Sequence, residues 1–151
     1  MQRLLSARVS EGFGPLGQIE LGYTAARLAL PFWLRANPEK SFQAPLISAL
    51  ESVAIYCAGG RLAEDAKVVA ERAYQTVSSC DLPAGDIQRS SGFSVAHIAM
   101  APWLHASGSS SKAQHNAMVA INYSESIHSW AGKAAELEAA LESRRRELQN
   151  A

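Results

Sequence analysis

The segment Phe93–Leu104 places the strongest limit on what this chain can fold into. Its twelve residues carry no formal charge when His97 is neutral, and Ser94 is the other polar residue among them. A surface helix of that length would show a charged or polar face, so this segment must be covered on all sides. We therefore predict a central apolar helix near residues 86–104, with other helices packed around it.

The amino-acid composition indicates an all-α fold. The chain has 27 alanines among 151 residues, against 10 glycines and 6 prolines. Alanine has the highest intrinsic helix propensity, and its small side chain lets helices approach one another closely. A chain of this length buries roughly 70% of its unfolded surface, which is enough for one hydrophobic core. We predict a single-domain bundle of about five or six helices.

Apolar periodicity places the other helices. A poorly defined N-terminal segment, residues 1–17, is expected before a helical bundle domain over residues 18–151. The predicted helices cover residues 18–30, 41–58, 61–78 and 112–148, in addition to the central one. Pro31 is expected to kink or end the first of them, and Gly132 is the point at which the long C-terminal helix would break.

Charge and cysteine content exclude several classes of protein. Lys and Arg together equal Asp and Glu at 14 each, so no net charge attracts nucleic acid or an anionic membrane. No apolar segment reaches the roughly 18 residues that span a bilayer, and the N-terminus lacks the apolar core of a signal peptide. These features predict a cytoplasmic protein. Cys57 and Cys80 lack metal-ligand spacing, and whether they form a disulfide stays open.

Two patterns raise the question of a ligand site. Gly12–Gly17 matches the G-x-G-x-x-G of dinucleotide-binding proteins, but the residues before it are too polar for the buried strand this motif needs, so a loop is expected. Glu125 and His128 form a Glu-x-x-His pair on a predicted helix, which directs both side chains to one face. With His97 they are candidates for a metal or small-ligand pocket. The simpler interpretation of His97 is a core histidine whose ring N–H has a partner.

Three other residues are candidates for contact with a partner protein. Trp33 lies in an aromatic segment for which core packing and an exposed anchor are both open. Trp103 and His105 lie at the end of the central helix, beside the serine-rich stretch 107–111. Near-heptad spacing of apolar residues over 130–148 also allows a homodimer through the C-terminal helix.

Part of the chain resembles a known family. Leu50–Tyr56 precedes Gly59, spaced alanines follow up to the pair Ala73-Tyr74, and Ser94–Ala99 contains an Ala-His step. From about residue 49 to residue 106 this arrangement resembles the Ala-rich, all-helical immunity proteins of bacterial polymorphic toxin systems. The resemblance implies a cytoplasmic inhibitor of a toxin, with no catalytic residues to carry over.

These observations predict a small cytoplasmic protein-binding module that docks onto a partner protein, with an immunity-type inhibitor as its most specific form. They indicate no cofactor, and neither a nucleic-acid nor a membrane partner. The alternative is a helical metal- or small-ligand-binding protein, or an enzyme, that uses a pocket around His97, Glu125 and His128.

Overall fold

The computed structural model describes residues 3–151, and within that range the chain forms α-helices and no β-strand, which confirms the predicted all-α bundle. In chain order the helices are α1 (Leu5–Ser10), α2 (Pro15–Ala36), α3 (Lys40–Gly59), α4 (Ala66–Ser78), α5 (Arg89–Ala106), α6 (Ser110–Trp130) and α7 (Ala134–Gln149). None of the helices in this range combines the length and apolar character that crossing a bilayer takes. Every candidate site residue lies on one of these helices.

The uncharged segment lies at the centre of the bundle, as predicted. Helix α5 packs against α2, α3, α4 and α6. Ser94 is fully buried, and its Oγ donates a hydrogen bond to the backbone oxygen of Ala120 on α6 at 2.7 Å. A Cβ added at Gly92 would lie 2.6 Å from a ring carbon of Trp33 on α2. Helices α5 and α2 can therefore approach this closely because residue 92 has no side chain.

Pro31 does not end the helix, so the predicted boundary at residue 30 was wrong, while a kink at Pro31 stays a prediction. Helix α2 continues through Pro31 to Ala36, because Trp33 is fully buried and its Nε1 donates a hydrogen bond to the backbone oxygen of Phe42 at 2.7 Å. Burial of an indole contributes about 4–6 kcal/mol at about 25 cal/mol per Å², which exceeds the roughly 3 kcal/mol cost of an interior proline. Pro102 also lies inside a helix, α5, where the proline itself is buried.

The remaining helix boundaries follow the sequence with one exception. Helix α3 ends at the predicted glycines, where Gly60 has a φ of 67°. The C-terminal helix breaks at Gly132, which has a φ of 74°, and so becomes α6 and α7. Helix α4 begins at Ala66 rather than near residue 61, because residues 60–65 connect two helices that pack against each other. Leu62 lies in this connection and is 38% exposed.

Helices α2 and α6 contribute to two separate hydrophobic clusters. The main core lies around α5 and includes Trp33, Leu46 and Ile98 together with many alanines. The second cluster joins α1 and α7 to α2 and α6, and its buried members are Leu5, Val9, Leu21, Ala25, Ile121, Leu137 and Leu141. Part of the N-terminal segment that the sequence left undefined is thus a helix held by buried side chains.

Candidate functional site

The residues around His97 form a group of four rings contributed by three helices. Tyr74 comes from α4, Phe93 and His97 from α5, and Tyr123 from α6; we call these four residues the aromatic cluster. The ring of His97 stacks on that of Tyr123 with centroids 5.5 Å apart, and Tyr74 meets it edge-on at 5.9 Å. Phe93 lies 5.6 Å from Tyr74 and 5.4 Å from Tyr123. Each ring packs against at least two others, which fixes their relative orientation.

The aromatic cluster lies at the surface, where α4, α5 and α6 meet. Phe93 and His97 share one face of α5 because residues four apart on a helix are neighbours. Helices α4 and α6 both pack against α5 and bring one tyrosine each to that face. Tyr74 is 39% exposed, and the other three residues are half-buried. The rings are therefore supported from below by the bundle and remain partly open to solvent.

A hydrogen bond from α6 fixes the proton position on His97. Asn116 Nδ2 donates to the backbone oxygen of Lys112 at 2.9 Å, which turns Asn116 Oδ1 towards the imidazole. His97 Nδ1 lies 2.9 Å from that oxygen and must donate to it, so Nδ1 carries the proton and Nε2 is the acceptor. Burial lowers the pKa of His97 below its ordinary value of 6.5, the bond to Asn116 acts in the opposite direction, and the nearby His115 lowers the pKa further. The aromatic cluster is consequently uncharged at neutral pH.

Two phenol hydroxyls of the aromatic cluster are available to another molecule. Among residues 3–151, Tyr56 is the one tyrosine whose hydroxyl forms a hydrogen bond, and its partner is Nδ1 of His105. The hydroxyls of Tyr74 and Tyr123 form no hydrogen bond with residues 3–151. They are also not buried, so another molecule can reach them. The cluster thus offers apolar ring surface with hydrogen-bonding groups at its edges, which suits binding.

The three residues predicted to form a metal or small-ligand pocket are not brought together. His97 bonds to Asn116 and stacks on Tyr123, whereas the ring of His128 packs against Phe32 on α2. His128 is buried, and its Nδ1 donates to the backbone oxygen of Ser124 at 2.7 Å. Glu125 is half-buried on α6. Over residues 3–151, no group of three or more His, Cys, Asp or Glu side chains is placed to hold a metal ion.

The three residues predicted to contact a partner differ in exposure. Trp33 is a core residue with no exposed surface, which leaves it no area to offer a partner. Trp103 is half-buried, and Lys67 Nζ lies 5.3 Å from the centroid of its ring. His105 is half-buried and bonded to the hydroxyl of Tyr56. Trp103 and His105 make these contacts within the chain, and a partner role for them stays a prediction.

Sequence reasoning singled out His97 but not the rings around it. The sequence does show that Phe93 lies four residues before His97, so their position on one face of a helix could have been predicted. No local pattern connects Tyr74 or Tyr123 to that helix. Their positions depend on how α4 and α6 pack against α5, so the cluster becomes visible with the tertiary structure.

A groove lies beside α2, between α3 and α7. It consists of two neighbouring cavities of about 500 Å³ and about 290 Å³, which share Glu20 and Cys57. Arg144 on α7 lies 3.3 Å from Glu20 and forms an ion pair with it. Burial raises the pKa of Cys57 to about 12, and Glu20 adds to this effect, so the thiol is protonated at neutral pH. Because Glu20 and Arg144 neutralise each other and the thiol is unreactive, the aromatic cluster is the better candidate.

The comparisons with known proteins give no match. No family model matches the chain, and no curated protein or solved structure matches it. The resemblance of residues 49–106 to immunity proteins therefore stays a prediction, and the case for a function depends on the geometry of the site.

Proposed function

We propose that this protein is a protein-binding module and that the aromatic cluster is its docking surface. The observation that carries the proposal is that four rings from three helices meet at the surface, where the rest of the chain leaves them partly exposed. Tyrosine is enriched at the centres of protein interfaces, since it supplies apolar area and a hydrogen-bonding group together. The most specific form of the proposal is an immunity-type inhibitor, in line with the resemblance of residues 49–106 to that family.

The arrangement of the aromatic cluster before binding supports this proposal. The rings are held by packing against each other and by the 2.9 Å hydrogen bond between His97 and Asn116. A partner does not need to order these side chains, and ordering each one would cost about 0.5–1.5 kcal/mol on binding. A rigid, partly apolar surface of this kind is suited to a partner of fixed shape.

The absence of charge in the aromatic cluster predicts the character of the binding. The cluster is neutral while His97 is neutral, and the whole chain has no formal net charge. Long-range electrostatic attraction therefore does not steer the encounter. We expect the affinity to change little between low and high salt, in contrast to complexes that depend on complementary charge.

The experiment needs a defined partner. The resemblance to immunity proteins makes the product of the adjacent gene the first protein to test. The wild-type chain is expected to form a complex with it in size-exclusion chromatography. Tyr74→Ala and Tyr123→Ala should each weaken the affinity roughly thirtyfold in titration calorimetry, the loss expected when a residue contributing about 2 kcal/mol is truncated.

Tyr23→Ala is the matched control. Tyr23 is also a half-buried tyrosine, but it lines the groove beside α2 rather than the aromatic cluster. This variant should bind as the wild type does, and thermal unfolding would show that all three variants are folded. An equal loss of affinity in the control, or unchanged binding in both cluster variants, would show that the docking surface lies elsewhere. Turnover of a small molecule by a chain that binds no protein would overturn the proposed function.

A further inference from the structure

A pocket of about 350 Å³ lies where the C-terminal part of α2 faces the turn between α6 and α7. Its lining includes Phe32 and Arg35 from α2, Gln88 just before α5, and Trp130 and Lys133 from the turn. None of its lining residues is acidic. We call it the basic pocket, and it shares no residue with the aromatic cluster.

Two positive charges share one ring in the basic pocket. The guanidinium carbon of Arg35 lies 4.9 Å from the centroid of Phe32, and Nζ of Lys133 lies 5.9 Å from it. Both residues are exposed, and neither forms an ion pair with another residue in the range 3–151. Because the chain as a whole has no net charge, this is a local excess of positive charge. An anion bound in the pocket would face both positive charges, and phosphate and carboxylate oxygens accept charge-assisted hydrogen bonds from Arg and Lys.

Trp130 supplies an open stacking surface beside these charges. It is 57% exposed, whereas Trp33 is fully buried and Trp103 is half-buried. A flat ring stacked on the indole would remove this apolar surface from water, as nucleobases do on aromatic side chains. The side-chain amide of Gln88 makes no hydrogen bond with the described residues, and amides of this kind pair with the edges of nucleobases.

The walls of the basic pocket are held in place by the chain itself. The turn carries Gly132 at a φ of 74°, and the backbone N–H of Lys133 donates to the backbone oxygen of His128 at 2.7 Å. The buried ring of His128 packs edge-on against Phe32 with centroids 5.1 Å apart. These contacts fix the turn and the aromatic floor on which both cations rest, so a ligand would meet a preformed site.

We propose that the basic pocket binds a small ligand in which a phosphate or carboxylate is joined to a flat ring directly or through a sugar, with a nucleoside monophosphate as the best-fitting class. The anion faces Arg35 and Lys133, the ring stacks on Trp130, and the amide of Gln88 bonds to the edge of the ring. This site is independent of the protein-docking surface, so either can fail without the other.

The experiment measures binding of four probes to the full chain by titration calorimetry. Adenosine monophosphate contains both parts of the proposed ligand, adenosine contains the ring alone, and inorganic phosphate contains the anion alone. Phenyl phosphate tests whether a simple ring suffices. Saturable binding of adenosine monophosphate, with both single-part probes at least tenfold weaker, is the expected result; phenyl phosphate binding equally well would assign the ligand to simple aryl phosphates within the same class.

Two variants test the two parts of the pocket. Arg35→Gln should weaken binding of adenosine monophosphate roughly ten- to hundredfold, as expected for the loss of one charge-assisted contact. Trp130→Leu should weaken it by a similar factor and should also abolish quenching of indole fluorescence by the nucleotide. Both residues are exposed, so the variants should keep the fold.

Arg72→Gln is the control, since it removes one exposed positive charge from α4, away from the basic pocket. It should bind all four probes as the wild type does. The proposal is overturned if neither adenosine monophosphate nor phenyl phosphate binds saturably, or if inorganic phosphate binds as well as they do. It is also overturned if Arg72→Gln loses as much affinity as Arg35→Gln, since the effect would then be one of overall charge.

Discussion

The main core and the second cluster are built from different kinds of contact. In the main core, helices approach closely through positions that have little or no side chain. A Cβ on Gly92 would meet Trp33 at 2.6 Å, and one on Gly22 would meet Ile98 at the same distance. The buried hydroxyl beside this core is satisfied, because Ser94 Oγ donates to α6 at 2.7 Å.

The second cluster depends on larger aliphatic side chains. Leu5 from α1, with Leu137 and Leu141 from α7, supplies most of the apolar area beyond α2 and α6. The hydroxyl of Ser6 is buried there with no hydrogen-bond partner, which costs about 1–3 kcal/mol. The comparison indicates that α2 to α6 form the stable unit, and that α1 and α7 form an outer layer with a lower free energy of opening.

The largest effect is expected where the main core is tightest. Trp33→Ala should lower the free energy of unfolding by about 3–5 kcal/mol, and Gly92→Ala should lower it by about 1–3 kcal/mol through overpacking. The two sites are in contact, so Gly92→Ala should cost less in a Trp33→Leu background. Urea denaturation of the wild type, Gly92→Ala, Trp33→Leu and the double variant measures this coupling. Strictly additive effects would contradict the close approach of α5 and α2 at this point.

The second prediction separates the two clusters. Leu141→Ala removes a buried side chain from the second cluster and should cost about 2–5 kcal/mol. Hydrogen exchange followed by mass spectrometry should show α7 nearly unprotected while α5 stays protected. Leu46→Ala is the control, because Leu46 is equally buried but belongs to the main core. Loss of protection over all helices in both variants would show that the clusters unfold as one unit.

The third prediction is that replacing two buried serines by alanine changes the free energy of unfolding in opposite directions. Ser94→Ala should lower the free energy of unfolding by about 1 kcal/mol, because a buried hydrogen bond is lost. Ser6→Ala should raise it by about 1 kcal/mol, since a buried hydroxyl without a partner is removed from a helix. Thermal unfolding of both variants beside the wild type decides the matter. Destabilisation by Ser6→Ala would mean that its hydroxyl is satisfied after all.

The smallest effect is a pH dependence from His97. Because its pKa is lowered in the folded chain by burial, the unfolded chain takes up the proton first as the pH falls below about 6.5. The contribution of His97 to stability is therefore complete above that pH and declines as the pH falls towards the folded pKa. His97→Gln should reduce the slope of stability against pH in this window, measured by urea denaturation. An unchanged slope would contradict a lowered pKa.

Much of the fold follows from the sequence because its strongest signals are local. The absence of charge over Phe93–Leu104 predicts a central helix, and α5 packs against four other helices. The expectation that it is covered on all sides was wrong, since the face that carries Phe93 and His97 is partly exposed. Glycines mark the ends of α3 and α6, where the backbone adopts a positive φ. Pro31 and Pro102 do not end their helices, because burial of neighbouring side chains outweighs a missing hydrogen bond.

The candidate site was less predictable, since it depends on contacts between helices. Nothing near His97 in the sequence indicates that Asn116 is its hydrogen-bond partner or that Tyr123 stacks on its ring. The same reason explains why Trp33 could be either core or anchor until its neighbours were known. Residues that share one helix can be placed from spacing alone, whereas a site formed by three helices requires their packing angles.

The protonation of the Cys57 thiol determines how this protein responds to oxidants and reductants. The thiolate is the form that attacks disulfides and peroxides, and a pKa of about 12 leaves almost none of it at neutral pH. Cys80 is buried, and both cysteines are free, so the fold contains no cross-link that a reductant would break. The bundle should therefore keep the same shape in reducing and in mildly oxidising solution, and its binding surfaces should not respond to changes in redox state.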